Sequence, residues 1–262
     1  MSAMTVDIAD HIATITLNRP EQMNTISSAM LNELTRTFVA VNENPDVRVV
    51  VLTGTGRAFC AGLDLNEASA GKGIGSAERR TPETIDLRNT PPTVLFAMDK
   101  PVICALNGSA AGYGMDLALG CDIRIMADNA KLAAAFVKRG VVPESGGTWF
   151  LPRMLGWAKA AEIIFTGRTL SAAECLAEGL ANKVVPVDEV ASAARAMALE
   201  IAANAPLAVR ASKRLMRMGL EETFETHVQH VYLQLLPLFA SDDFKEGVTS
   251  FLEKRPAVFG GR

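Results

Sequence analysis

The sequence predicts an α/β fold in which short buried strands alternate with helices and a helical region follows. Three observations carry this. Residues 47–53, 102–106 and 123–126 are short runs, apolar apart from Arg48, Thr53 and Arg124, as strands covered on both faces of a parallel sheet are. Between the last two, residues 112–119 have the composition of a helix opened by glycine. From Asp188 to about Glu253 the apolar period is helical, punctuated by Pro206, Gly219 and Ser241. The expected division is an α/β core over residues 1–187 and a helical region over residues 188–262.

The remaining elements follow in order. Residues 5–8 and 12–17 are β-rich runs separated by Ala9-Asp10-His11, the pattern of a hairpin. Residues 27–42 place Met30, Leu31, Leu34, Phe38 and Val41 at helical spacing, with Ser27 as cap. Residues 69–93 carry Gly71, Gly73, Gly75, a run of charges and Pro91-Pro92, and read as a partly mobile excursion from the core. Ser171-Ala-Ala-Glu174 is a capping box, and Gly179 ends the helix it starts.

Composition bounds the class. The 262 residues are 49% hydrophobic but only 6% aromatic, so the core is aliphatic and rich in alanine. The formal net charge is −3 and the 26 basic residues are scattered, which argues against a nucleic-acid partner. Arg79-Arg80 and Lys138-Arg139 are isolated pairs of the kind found on solvated surfaces. Cys60, Cys104, Cys121 and Cys175 form no CxxC pair and read as reduced thiols. With no secretory signal and no window of 18 apolar residues, the expected location is the cytoplasm, away from membranes.

Familiar catalytic motifs are missing. Gly54-Thr-Gly56 and Gly112-Tyr-Gly114 each lack the third glycine of a dinucleotide fingerprint, and there is no phosphate loop and no GxSxG elbow. His227 and His230 share a helical face on which no carboxylate falls, so they read as a satisfied or exposed pair and no metal site is expected.

Two turns stand out instead. Residues 57–65 bring the small residues Cys60, Ala61 and Gly62 after a strand, where a ligand can approach the backbone closely. Residues 107–116 leave another strand and open a helix at Gly112, exposing N–H groups without intrahelical partners. Two such turns at neighbouring strand ends could aim two N–H donors at one oxygen, the geometry of an oxyanion hole. Tight helix–strand packing is the structural alternative for either turn alone.

Together the motifs resemble the crotonase, or enoyl-CoA hydratase/isomerase, superfamily. The resemblance spans nearly the whole chain: Leu17-Asn-Arg-Pro-Glu-Gln-Met-Asn24, Ala58-Phe-Cys-Ala-Gly-Leu-Asp-Leu65, Asn107-Gly-Ser-Ala-Ala-Gly-Tyr-Gly114 with Cys121-Asp-Ile123, Val142-Pro-Glu-Ser-Gly-Gly-Thr148 and Phe165-Thr-Gly167. It implies a spiral of ββα turns with a C-terminal helical trimerisation region, assembled as a homotrimer or hexamer. It also implies that the N–H groups of Leu63 and Tyr113 bind the oxygen of an acyl-CoA thioester. Ala61, Gly62, Asp64, Leu65 and Gly112 would line the coenzyme A path, with Met23 near its pantetheine or adenine end. Coenzyme A would arrive as part of the substrate, with no separate cofactor.

The reaction then depends on carboxyl groups. Of the two glutamates of the family's hydratases, one matches Asp116 and the other matches Phe136, which can neither activate water nor donate a proton. Glu144 lies eight residues further on, where isomerase-like members carry an acid. Asp116 and Glu144 are therefore the expected catalytic pair of a hydratase, or Glu144 the proton shuttle of an isomerase. The structural alternative for each is a carboxylate at a helix N-terminus, for Asp116 that of its own helix. A non-catalytic acyl-CoA-binding member of the fold is the remaining possibility.

Overall fold

The structure is a computed structural model and describes residues 2–70 and 87–262. Strands β1 (Met4–Ala9) and β2 (Ile12–Leu17) form the expected antiparallel hairpin, turned by Asp10 and His11 at positive φ. Helix α1 (Ser28–Glu43) starts where Ser27 accepts the Met30 N–H, and buries Met30, Leu31, Leu34, Phe38 and Val41.

The chain then repeats a strand–strand–helix unit three times. β3 (Val49–Gly54) and β4 (Ala58–Cys60) lead to α2 (Leu65–Ser69) and α3 (Pro91–Ala97). β5 (Val102–Leu106) and β6 (Ser109–Ala111) lead to α4 (Tyr113–Leu119). β7 (Ile123–Ala127) and β8 (Lys131–Ala133) lead to α5 (Gly147–Leu155) and α6 (Trp157–Thr166). β9 (Thr169–Ser171), α7 (Ala172–Ala177) and β10 (Lys183–Val185) close the series. The first strand of each unit joins a six-stranded sheet, β1-β2-β3-β5-β7-β10, and the second joins a four-stranded sheet, β4-β6-β8-β9. This is the predicted spiral.

Apolar burial explains the large sheet. β3, β5 and β7 pair in parallel, and every residue of β5 is buried. Helix α8 (Val190–Ala202) lies across β2, β3, β5 and β7 and buries Val190, Ala194, Ala198 and Ala202 at every fourth position. Three small side chains in that stripe let the helix backbone settle close to the sheet. β1 keeps only Met4 buried, as suits an edge strand. The capping box at Ser171 and Glu174 forms as predicted. Most of the 69–93 excursion lies outside the described residues, as does the Arg79-Arg80 pair. All four cysteines are free and buried.

Helices α9 (Pro206–Met218), α10 (Phe224–Phe239) and α11 (Asp242–Glu253) complete the chain. Asp99, after α3, meets Arg210, Arg214 and Arg217 of α9 at 3.7, 3.4 and 3.2 Å and so ties that helix to the core. Arg48 holds the tail by donating to the Phe259 carbonyl at 2.7 Å. An apolar cavity of about 550 Å³ lies between α9, α10 and α11, and Tyr232, Leu233, Leu236, Phe251 and Leu252 are exposed nearby. Among the described residues no helix is long and apolar enough to cross a membrane.

One expectation is corrected. His227 and His230 do have a carboxylate neighbour: Glu222 binds His227 Nδ1 at 2.8 Å and His230 Nδ1 at 2.6 Å. Glu222 precedes the N-cap of α10, so counting along the helical face could not find it.

Candidate active site

The first turn is held from the N-terminal motif. Asn24 is buried at a positive φ of 55°, donates through Nδ2 to the Thr55 and Ala58 carbonyls at 2.9 and 2.8 Å, and accepts the Arg19 N–H. The Ala61 N–H donates to the Met23 carbonyl at 3.0 Å. Ile26 then forms a parallel bridge with Leu63, in which Ile26 N–H donates to Gly62 and Asp64 N–H donates to Ile26. Alternation along an extended backbone turns the intervening Leu63 N–H to the opposite side. Gly62, at φ 105°, faces the second turn: a Cβ there would stand 3.0 Å from the Ala111 carbonyl oxygen and 3.8 Å from the Tyr113 nitrogen.

The second turn is placed by pairing of β6 with β4, Ser109 opposite Ala58 and Ala110 opposite Cys60. The Gly112 N–H donates to the Ala133 carbonyl at 3.0 Å, and Tyr113 begins α4, so its own N–H has no intrahelical acceptor. At Gly114 any Cβ would overlap the Cys60 carbonyl and lie 2.7 Å from the Cys60 Cβ. Only glycine lets the first turn of α4 rest on β4 this closely. Among the described residues neither the Leu63 nor the Tyr113 N–H donates to a backbone acceptor. The two turns therefore meet with an unspent donor on each.

The residues expected along the coenzyme A path divide. Met23 and Leu65 are exposed, Ala61 is half-buried, and Gly62 and Gly112 form the turns themselves. Asp64 is engaged within the protein. Its Oδ2 pairs with Arg19 at 3.1 Å and its Oδ1 accepts the Asn66 N–H, so its carboxylate braces the first turn.

Asp116 lies one helical turn beyond Tyr113 and is 1% exposed. It does not serve the N-terminus of its own helix. Its Oδ2 accepts the Ser145 N–H at 3.0 Å, at the start of α5, and the Gly147 N–H also stabilises it. A Cβ at Gly147 would overlap Asp116 Oδ1, so glycine makes room for the carboxylate. Burial pushes Asp116 up to about 7, with the Ser145 and Gly147 N–H groups opposing and Glu144 adding to the rise. Glu144 is exposed, yet the protein around its carboxyl also raises it above the usual range.

Phe136 is 3% exposed, and a Cβ at Gly112 would stand 3.9 Å from its ring. An apolar ring thus abuts the second turn, where the family's hydratases place an acid. The Tyr113 side chain runs inward and is 2% exposed, with its phenol raised by burial. Ser145, Asn24 and Arg19 are the site residues whose roles the sequence did not reveal. Asn24 and Arg19 sit in the N-terminal motif, whereas Ser145 gives no sequence signal beyond its place after Glu144.

This geometry agrees with comparison to known proteins. Residues 7–262 match the family model described as enoyl-CoA hydratase/isomerase. The (E)-benzylidenesuccinyl-CoA hydratase of Thauera aromatica is 36% identical, over 98% of this chain and 99% of the relative. The 1,2-epoxyphenylacetyl-CoA isomerase of Escherichia coli is 36% identical, over 96% and 95%. The crystal structure of an enoyl-CoA hydratase from Bacillus anthracis superposes with a TM-score of 0.92 and 37% identity, over all of both chains. A family model over nearly the whole chain and full-length relatives at this identity show that the chain belongs to the enoyl-CoA hydratase/isomerase family.

Proposed function

We propose that the chain is an enoyl-CoA hydratase that adds water in syn fashion across the double bond of a 2-enoyl-CoA. The observation that carries this is the juxtaposition of two free N–H donors with two carboxyl groups of unequal exposure. Leu63 and Tyr113 N–H would polarise the thioester carbonyl, stabilise the enolate and make C3 electrophilic. Both carboxyls resist ionisation, and Glu144 disfavours the charge on Asp116. The two are assigned opposite protonation states: the exposed Glu144 acts as the base, and Asp116, which burial holds toward its protonated form, keeps a proton. Glu144 takes the proton of the attacking water, and the pair returns a proton to C2. Coenzyme A enters as part of the substrate, with Met23, Ala61 and Leu65 along its path and no separate cofactor.

An isomerase is the second reading, favoured by the apolar ring of Phe136 and the burial of Asp116. Glu144 alone would then carry a proton between C2 and C4 of a 3-enoyl-CoA. The exposed apolar residues of α10 and α11 suit assembly as a homotrimer or hexamer in the cytoplasm.

Purified protein given crotonyl-CoA should lose the absorbance of the conjugated thioester and yield a product heavier by one water. Double-bond migration in a 3-enoyl-CoA, with no hydration of crotonyl-CoA, would replace the hydratase by the isomerase. Tight binding of either thioester with no turnover of any would make the chain a binding module.

A further inference from the structure

Helix α9 carries Arg210, Lys213, Arg214 and Arg217 at successive three- and four-residue steps, so these cations share one face. They meet Asp99 and Lys100, in the turn after α3, and Asp122, just before β7. Among the described residues, five cations thus gather on two carboxylates.

Three of the cations are fully engaged. Lys100 is buried, and its ammonium donates to the Val41 and Asn44 carbonyls at the end of α1. Lys213 donates to the Lys100 carbonyl at 2.8 Å and to Asp122 at 2.6 Å. Arg217 donates to the Phe96 carbonyl and to Asp99 Oδ1 at 3.2 Å. Arg210 and Arg214 differ. Both approach the other oxygen of Asp99, at 3.7 and 3.4 Å, without the alignment of a hydrogen bond. The Nε of each is sealed from solvent with no acceptor, yet their side chains are 38% and 42% exposed.

A guanidinium has several donors and no acceptor, so two of them on one carboxylate oxygen leave most donors unused. Three guanidiniums around Asp99 also leave positive charge unmatched. The neighbours register it. Burial, and after it Arg210, pushes Lys100 down to about 8. Burial lowers Arg217 as well; Asp99 and Asp122 oppose that fall, and Arg214 adds to it.

We propose that Arg210 and Arg214, at the junction of α3 and α9, bind a phosphate group. Phosphate brings close to two negative charges and several acceptor oxygens, which matches the surplus in both charge and donors. The paired turns meet the N-terminus of α4, whereas Asp122 follows its C-terminal end. The proposal therefore does not rest on the hydratase reading.

Thermal unfolding without substrate tests it, with inorganic phosphate compared to chloride at equal ionic strength. Phosphate should raise the midpoint of the parent chain and chloride should not. Arg210→Gln combined with Arg214→Gln should weaken phosphate about tenfold or more, read from the concentration needed for the shift. Without phosphate this double variant should melt no lower than the parent, because removing unmatched like charges relieves repulsion. A lower midpoint, or failure to fold, would make the two arginines structural ties to Asp99 and overturn the proposal. So would an equal shift with chloride, no shift with phosphate, or an undiminished shift in the double variant. Adenosine 3′,5′-bisphosphate then separates the sources of the group. Saturation below the concentration needed for inorganic phosphate assigns the site to a phosphate ester, and saturation at the same or a higher concentration assigns it to the free anion.

Discussion

The junction of the two turns and the carboxyl corner meet at one helix, α4, which carries Tyr113 and Asp116, yet they are built on opposite principles. At the junction the proposed working groups are the main-chain N–H donors of Leu63 and Tyr113, and the surrounding side chains fix the backbone. Asn24 ties three segments together, Arg19 braces Asp64, and Gly114 lets α4 rest on β4. At the corner the working groups are side chains, and their behaviour is set by burial and by a few N–H donors at the start of α5. The difference teaches where substitutions act. Changes at the corner alter chemistry first, and stability only through the charge of the buried Asp116. Changes at the junction alter folding first and chemistry through it.

Glu144→Gln breaks the corner most sharply. The side chain is exposed and its carboxyl is the proposed proton acceptor, so kcat should fall about 100- to 10,000-fold. The thermal midpoint should stay near that of the parent chain. A variant with parental turnover would move the acid–base role away from Glu144 altogether.

Gly114→Ala is the matching change at the junction. The added methyl has to displace the Cys60 backbone or lift the start of α4, and backbone on both sides leaves little room to yield. The expected loss is about 3 kcal/mol of stability, read by denaturant unfolding. Any folded fraction should have lost thioester polarisation, visible as a smaller spectral shift of a bound conjugated acyl-CoA.

How legible these two regions are in the sequence follows from how they are built. β3, β5 and α1 announce themselves because long apolar runs or a helical period must be buried. β4, β6, β8 and β9 are three residues each, with Ala, Ser and Cys among them, and have no period to read. The turns were visible through their small residues, but the donors Leu63 and Tyr113 came from the family resemblance, since a main-chain group leaves no mark of its own. Asp116 was visible as a carboxylate, though not its destination. Its partner Ser145 is 29 positions away and joins it only when α5 packs on α4. The same limit hid Glu222 from the two histidines.

Asp116→Asn sharpens the comparison through pH. The native carboxyl is raised from 3.8 to about 7, so between those values the folded state binds more protons than the unfolded chain. The parent therefore loses stability as pH rises through this window, and the loss is complete above it. Asparagine keeps an oxygen for the Ser145 N–H and carries no charge to bury. The variant should be more stable than the parent by about 4 kcal/mol at pH 8, with the gap closing below pH 4. A gap that is constant with pH would mean that Asp116 does not titrate in the folded protein.

Arg19→Met tests the junction at its periphery and should have the smallest effect. The arginine donates to the Thr25 carbonyl at 2.7 Å and pairs with Asp64 at 3.1 Å, and both partners of the pair are mostly buried. Methionine retains the apolar stem but leaves Asp64 Oδ2 without its cation, at a cost of about 1 kcal/mol. Because Asp64 flanks the Leu63 N–H, a loosened turn should weaken acyl-CoA binding a few-fold and reduce kcat by a similar factor. If binding fell while kcat did not, Arg19 would be a coenzyme A contact and not a brace. The acid limb of the pH profile should be unmoved in either case, since Arg19 bonds the Thr25 carbonyl and Asp64 in the turn proposed to hold the oxyanion, and not the carboxyls proposed to move the proton.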